Sequence, residues 1–305
     1  MKQYKIGFAF SGGGAKGAAH CGALQALHEY GIKADVVAGT SAGSIAATLY
    51  ASGVAPIDMA NMFATLDFKD LLGAQKLRGG IFDTKPLVKH LRSIIPYQNL
   101  EELPVPATVV ATSLERGCVK FFTEGEIAPR VAASCSIPIV YQPQKLDGEH
   151  YVDGGVLMNL PVTPIRDCCE KVIALNLHHA EVIPYKDRLT GVAVRCSSLM
   201  FLSNVMMEAE RSDIFINIDT SDYSVYDLSK VETLFHIGYD TAIKTLEEEG
   251  YKRVLPAEKL TFAHKEKRPD AVAELKLKAQ EMMQKSEALR LAAAELVSKA
   301  TGKKA

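Results

Sequence analysis

The sequence predicts a three-layer α/β/α fold, with a central, mostly parallel sheet and an added C-terminal helical segment. Three observations carry this. Short apolar runs alternate with helix-compatible runs along most of the 305 residues, the pattern of strands and crossover helices. Two of the apolar runs break into glycine-rich turns, "SGGGAKG" at 11–17 and "GTSAG" at 39–43. Hydrophobic residues make up 48% of the chain, ample for a sizeable core. The expected division is a domain over 1–265 and an amphipathic extension over 266–305.

The strand candidates are 4–10, 35–39, 106–112, 172–177 and 214–219, short and mostly apolar, as suits strands buried on both faces. A further run, 119–123, reads as an antiparallel ribbon. Helices are expected at about 17–29, 42–52, 84–95, 127–135, 161–169, 190–211 and 231–249. Residues 56–80 carry Met59, Met62, Phe63, Leu66, Phe68, Leu71 and Leu72 and read either as a packed helix pair or as an apolar flap over a lipid-sized site. In 270–298, apolar residues recur at three- and four-residue steps among lysines and glutamates. That is an amphipathic helix whose balanced charge favours docking on the body or a partner subunit; transient contact with a membrane surface stays open.

Charge is near balance, 35 basic against 36 acidic residues, which gives no electrostatic footprint for a nucleic-acid partner. The N-terminus lacks the pattern of a secretory signal, and no run reaches the ~18 to 20 apolar residues of a membrane span, so a cytoplasmic protein is expected. The six cysteines form no C-x-x-C pair and read as reduced thiols. Cys135 is notable for its place near the motifs below.

Gly12, Gly14 and Gly17 fit a dinucleotide fingerprint, but the ribose-binding acid should close the second strand, whereas Asp35 opens it. A phosphate loop of the Walker type fails because Gly17 and Ala18 follow Lys16. A third reading needs no nucleotide. Gly12, Gly13 and Gly14 can turn backbone N–H groups toward one point at a helix N-terminus, as an oxyanion hole requires, with Lys16 adding positive charge. In "DVVAGTSAGSIAATLY", Ser41 stands on a sharp turn between a strand and a helix, with Gly39 and Gly43 two residues to either side. The plain alternative is a capped helix start; the chemical one is a nucleophile elbow.

A serine nucleophile needs a base. Of the eight histidines, His178 and His179 are best placed for a triad, but their surroundings do not resemble a catalytic turn. The stronger candidate is Asp153, at the end of a short strand and followed by Gly154 and Gly155; the plain alternative is an ordinary tight turn.

Taken in order, the "GGGAKG" loop, "GTSAG" on the next strand and the later "DGG" resemble the patatin-like phospholipases. "HCGALQAL", "RGGIFDTKPL" (78–87), "VVATSLERG" (109–117) and "AASCSIPIVYQPQKLDGEHYVDGGVLMNLPV" (132–162) extend the resemblance over roughly 4–180. It implies a lipid acyl hydrolase with a Ser41–Asp153 dyad, Gly12, Gly13 and Gly14 as the oxyanion hole, and Lys16, Gly17, Gly39, Gly43, Gly154 and Gly155 in supporting roles. It implies no metal or organic cofactor. Lys16 departs from the arginine often found there, and the two present different geometry. An acyltransferase using the same acyl-serine, and a non-enzymatic dinucleotide-binding module, are the rival expectations.

Overall fold

The first strand, β1 (Tyr4–Phe10), lies in the middle of the sheet. It is followed by α1 (Ala18–Glu29), β2 (Val36–Thr40), α2 (Ala42–Ala51), α3 (Pro56–Thr65), β3 (Gly80–Phe82), α4 (Lys85–Ile94), β4 (Ala107–Ser113), β5 (Cys118–Phe122) and α5 (Ile127–Ser134). Then come β6 (Ile139–Tyr141), β7 (Gln144–Leu146), β8 (Glu149–Asp153), α6 (Thr163–Arg166), β9 (Cys169–Asn176), α7 (Leu189–Ser203), α8 (Val205–Ala209), β10 (Ile214–Asn217) and α9 (Val231–Glu248). The computed structural model describes residues 3–65, 71, 73, 80–177, 179 and 189–263. The helix expected over 270–298, the boundary at 265 and much of 66–79 fall outside them.

The main sheet runs β10-β9-β1-β2-β4-β8-β7, with β5 on the other edge of β4. The pairs among β10, β9, β1, β2 and β4 are parallel, while β5, β7 and β8 join antiparallel. Side chains alternate across it as strand geometry dictates. Phe8, Phe10, Val37, Ile173 and Leu175 enter the larger core, shared with α1, α2, α5 and α9. Ala9, Val36, Ala38, Val172 and Ala174 enter a smaller one with Leu160, Ile165 and Val205. This is the expected α/β sheet covered on both faces. A separate parallel pair, β3 with β6, was not foreseen. Among the described residues no helix is long and apolar enough to cross a membrane.

α1 and α9 pack backbone to backbone. A Cβ on Gly22 would collide with the Phe235 carbonyl, and one on Gly238 with the Ala19 carbonyl. Only glycine permits that approach.

Two expected helices came out differently. The helix at 161–169 is the four-residue α6, because Cys169 already pairs with Tyr4 as the start of β9. The helix at 190–211 is divided at Asn204, whose Nδ2 donates to Gly155 O and Met200 O, both at 3.0 Å. Its side chain serves the site rather than a continuous helix.

Candidate active site

The register brings Ser41 to Asp153. Thr40, the last residue of β2, pairs with Val110, and the next residue of β4, Ala111, pairs with Asp153. Since β5 occupies the other edge of β4, β2 and β8 meet end to end along one edge. The chain leaving β2 therefore runs into the end of β8. Ser41 Oγ donates to Asp153 Oδ2 at 2.6 Å.

Ser41 has φ 53° and ψ −125°, left-handed backbone that costs a non-glycine residue about 1–3 kcal/mol. The surroundings hold it there. Its N–H donates to Ser134 Oγ at 2.8 Å, and Ser134 in turn donates to Val110 O at 2.6 Å. Its carbonyl accepts from Ser44 Oγ at 2.6 Å. Thr40 Oγ1 donates to Met158 O at 2.9 Å, tying the turn to the segment after Asp153. The flanking glycines are there for space: a Cβ on Gly39 would strike the Gly43 carbonyl, and one on Gly43 the Phe10 and Ser11 carbonyls. Gly43→Ala is expected to cost about 3 kcal/mol of stability or more, the upper end of overpacking, as read by urea unfolding; an unchanged midpoint would remove this account.

Asp153 is fully buried. Its Oδ1 accepts from Gly155 N at 2.8 Å and its N–H donates to Ser136 O at 2.9 Å. Burial pushes its carboxyl up to about 7, against the hydrogen bonds from Ser41 and Gly155. Gly154 packs against β4, where a Cβ would strike Val110 O. The Cys135 thiol is also held up by burial and then by the Asp153 charge, against the nearby Ser44 and Ser41 side chains.

The glycine-rich loop is anchored on both sides. Gly12 N donates to Asn159 O at 3.0 Å and Ala15 N to Val225 O at 2.8 Å. The Gly12 N–H is thus already spent, which narrows the oxyanion assignment; Gly13 and Gly14 N–H carry no partner among the described residues. Gly14 has φ 60°, and a Cβ there would strike Val225 O. Gly17 lies against α2, where a Cβ would stand 3.1 Å from that of Ala42. Below the loop, His20 Nε2 donates to Ser11 O at 2.9 Å, and burial lowers its pKa to about 4, so it is neutral. Lys16 is buried. Its charge helps to hold Asp219 below the usual carboxylate range, after the Ser221 hydrogen bonds and alongside His179.

Ser41, Ala42 and Gly14 line a cavity of about 800 Å³, counting its open mouth, walled by Ile45, Leu49, Phe63, Leu87, Leu91 and Tyr226. Phe63 comes from α3, so the 56–65 stretch forms a helical wall of this cavity.

Among the described residues no histidine hydrogen-bonds to Ser41 or Asp153. His179 meets Ile218 O and His150 meets Glu115, while His236 packs on Phe235 and Phe262. His178 and His264 lie outside the described residues. Asp35 Oδ2 accepts from Lys5 N and Ile6 N, at the end of the sheet away from the glycine turns. A ribose-binding acid would stand at the opposite end, so Asp35 lends the glycine fingerprint no support. Sequence reasoning missed Ser134 and Asn159. Their signal was a polar residue inside an apolar stretch, "VAASCSI" and "VLMNLPV".

Residues 8–165 match the family described as patatin-like phospholipase. The chain is similar to an uncharacterized NTE family protein of Mycobacterium tuberculosis, 32% identical over 208 residues, covering 65% of this chain and 58% of that protein. It is also similar to Lysophospholipase NTE1 of Saccharomyces cerevisiae, 25% identical over 292 residues, covering 77% of this chain and 16% of that one. It therefore spans somewhat over half the length of the mycobacterial relative and a small part of the yeast one. Among solved structures, VipD from Legionella pneumophila aligns with a TM-score of 0.54 at 18% identity, over 81% of this chain and 67% of that one; this likeness concerns the fold.

Proposed function

The chain belongs to the patatin-like phospholipase family, and on that footing we propose that it is a serine acyl hydrolase of lipid esters working through a Ser41–Asp153 dyad. The observation that carries this is the 2.6 Å Ser41–Asp153 hydrogen bond, made by a serine held in left-handed backbone at the wall of an apolar cavity.

Ser41 Oγ attacks the ester carbonyl carbon while Asp153 takes its proton. A carboxylate is ordinarily too weak a base for a hydroxyl; burial that lifts Asp153 to about 7 brings it near the optimum for proton transfer at neutral pH. The carbonyl oxygen becomes an oxyanion, for which the Gly13 and Gly14 N–H groups are the proposed donors. Collapse of this intermediate expels the alcohol, which takes the proton back from Asp153. Water, deprotonated by Asp153, then attacks the acyl carbonyl; Ser41 Oγ leaves, taking the proton back from Asp153, and the carboxylic acid is released. Gly12, Lys16, Gly17, Gly39, Gly43, Gly154 and Gly155 hold the geometry around these groups.

The cavity supports a single apolar acyl chain as the buried part of the substrate, because its walls are almost wholly apolar. The likeness to Lysophospholipase NTE1 of Saccharomyces cerevisiae supports a lysophospholipid or a related ester. The test is a panel of acyl esters of rising chain length, including lysophospholipids, scored for released fatty acid. Leu49 stands eight residues along α2 from Ser41, about 12 Å at 1.5 Å per residue. Leu49→Phe is expected to spare short esters and lower kcat/KM for long ones roughly tenfold or more. No acid released from any ester would overturn the hydrolase, and an unchanged chain-length profile would overturn the assignment of the cavity.

A further inference from the structure

Asn159 sits where the parts of the site meet, and the chemistry above does not use its side chain. It is 1% exposed, and its Nδ2 amide has no hydrogen-bond partner among the described residues. Its backbone is committed in both directions: its N–H donates to Asn204 Oδ1 at 2.6 Å, and its carbonyl accepts from Gly12 N at 3.0 Å.

The carboxamide occupies the space that two glycines leave. A Cβ at Gly12 would stand 2.5 Å from Asn159 Oδ1 and 3.1 Å from Ser41 Cβ. One at Gly155 would stand 2.9 Å from the same Oδ1 and 3.1 Å from Asp153 Oδ1. The head group is therefore wedged between the loop beside Ser41 and the turn that carries Asp153. A buried N–H left unspent costs free energy that an aliphatic side chain would avoid. The group beside it whose charge changes in the proposed reaction is the Asp153 carboxyl.

We propose that Asn159 is a positioning residue: its carboxamide sets the spacing between Asp153 and the glycine-rich loop, and gives the carboxyl a polar neighbour that never carries charge. Among the described residues, Ser41, from the turn after β2, hydrogen-bonds to the Asp153 carboxyl, and the titratable Cys135 thiol, from the end of α5, feels its charge. No cationic side chain contributes to the Asp153 shift. An acid in place of the amide would compete with Asp153 for the same proton. An alanine would leave the loop and the turn without their spacer. The kinetic part of this inference rests on the hydrolase reading; the titration part does not.

The experiment compares Asn159→Asp and Asn159→Ala with the wild-type chain. First, the Asp153 carboxyl is titrated by carbon NMR of aspartate-labelled protein and assigned with Asp153→Asn; this needs no turnover. Asn159→Asp is expected to raise the Asp153 titration by about one pKa unit or more, since two carboxyls sharing one buried space do not ionise together. Second, kcat and KM are measured on a short ester. Asn159→Ala is expected to lower kcat roughly 10- to 100-fold, the effect of a small misplacement, with KM within about threefold. Lowered thermal stability with neither the titration nor kcat moved would overturn the proposal and leave Asn159 a space-filler. Asn159→Ser replaces either variant that does not fold; an Asp153 titration and a kcat both unmoved there overturn the proposal too. Should the wild type cleave no ester, the hydrolase reading fails, while the titration still decides the coupling of Asn159 to Asp153.

Discussion

Ser41→Ala is expected to lower ester turnover on the order of 10⁶-fold, the usual cost of removing a nucleophile, while leaving the fold intact. The substitution deletes one hydroxyl. The bonds that hold the turn use backbone atoms of residue 41, its N–H on Ser134 Oγ and its carbonyl under Ser44 Oγ, and both survive. The same backbone angles strain alanine as they strain serine, so stability should change little. Initial rates, with intact-mass detection of a fluorophosphonate adduct, make the measurement: wild type labelled at Ser41, the variant unlabelled. A folded Ser41→Ala protein with near-wild-type turnover would refute the nucleophile outright.

Asp153→Asn is expected to be as inactive as Ser41→Ala, because the two act as one unit, and yet more stable at alkaline pH. The sign follows from the carboxyl, which lies at 3.8 ordinarily and about 7 in the fold. An acid whose pKa is raised on folding favours the folded state fully below its unfolded pKa. That advantage is lost as pH rises through the folded value. Above about pH 7, burying the carboxylate costs on the order of a few kcal/mol. Asparagine keeps the shape, accepts from Gly155 N and can donate to Ser41 Oγ. Its melting temperature should therefore exceed wild type at about pH 8, with the difference gone at about pH 4. Wild-type activity should rise with pH through about 7, since Asp153 must be ionised to act. His179→Gln and His236→Gln should stay active. A histidine variant as dead as Asp153→Asn, with its fold verified, would replace the dyad by a triad; equal melting curves at pH 8 would refute the buried charge.

Much of this was legible in the chain. The apolar runs around Phe8, Val37, Val109, Ile173 and Ile216 became strands because each is flanked by glycine, proline or polar turn residues. Ser41 stood out because Gly39 and Gly43 keep a Cβ out of two crowded positions of the turn, a steric demand that local sequence carries. Less legible was whatever depends on chain segments far apart in sequence. That Ala111 would face Asp153, and so join β2 to β8, is a matter of register between strands about forty residues apart. Ser134 and Asn159 matter through partners remote from them, and their local sign, a polar residue inside an apolar stretch, does not say what each one meets. The short α6 escaped for a similar reason: Cys169 prefers a strand partner in Tyr4, which helical spacing cannot reveal.

The central place of β1 bears on how this protein is made. One edge of β1 pairs with β2, which leaves the ribosome soon after it, but the other waits for β9 at Cys169–Asn176. Until β9 arrives, the strand that leads into the glycine-rich loop keeps an open, apolar edge, the kind that recruits other chains. α1 waits longer still for the backbone of α9 against Gly22. The stretch 8–165 that bears the family signature holds both Ser41 and Asp153, yet it leaves out β9 and α9. Cut there, the chain would keep its chemistry on paper and lose the two late elements that close the centre of the sheet. Long-range closure of this kind slows folding, and among the described elements α9 is the latest that the sheet's centre must wait for.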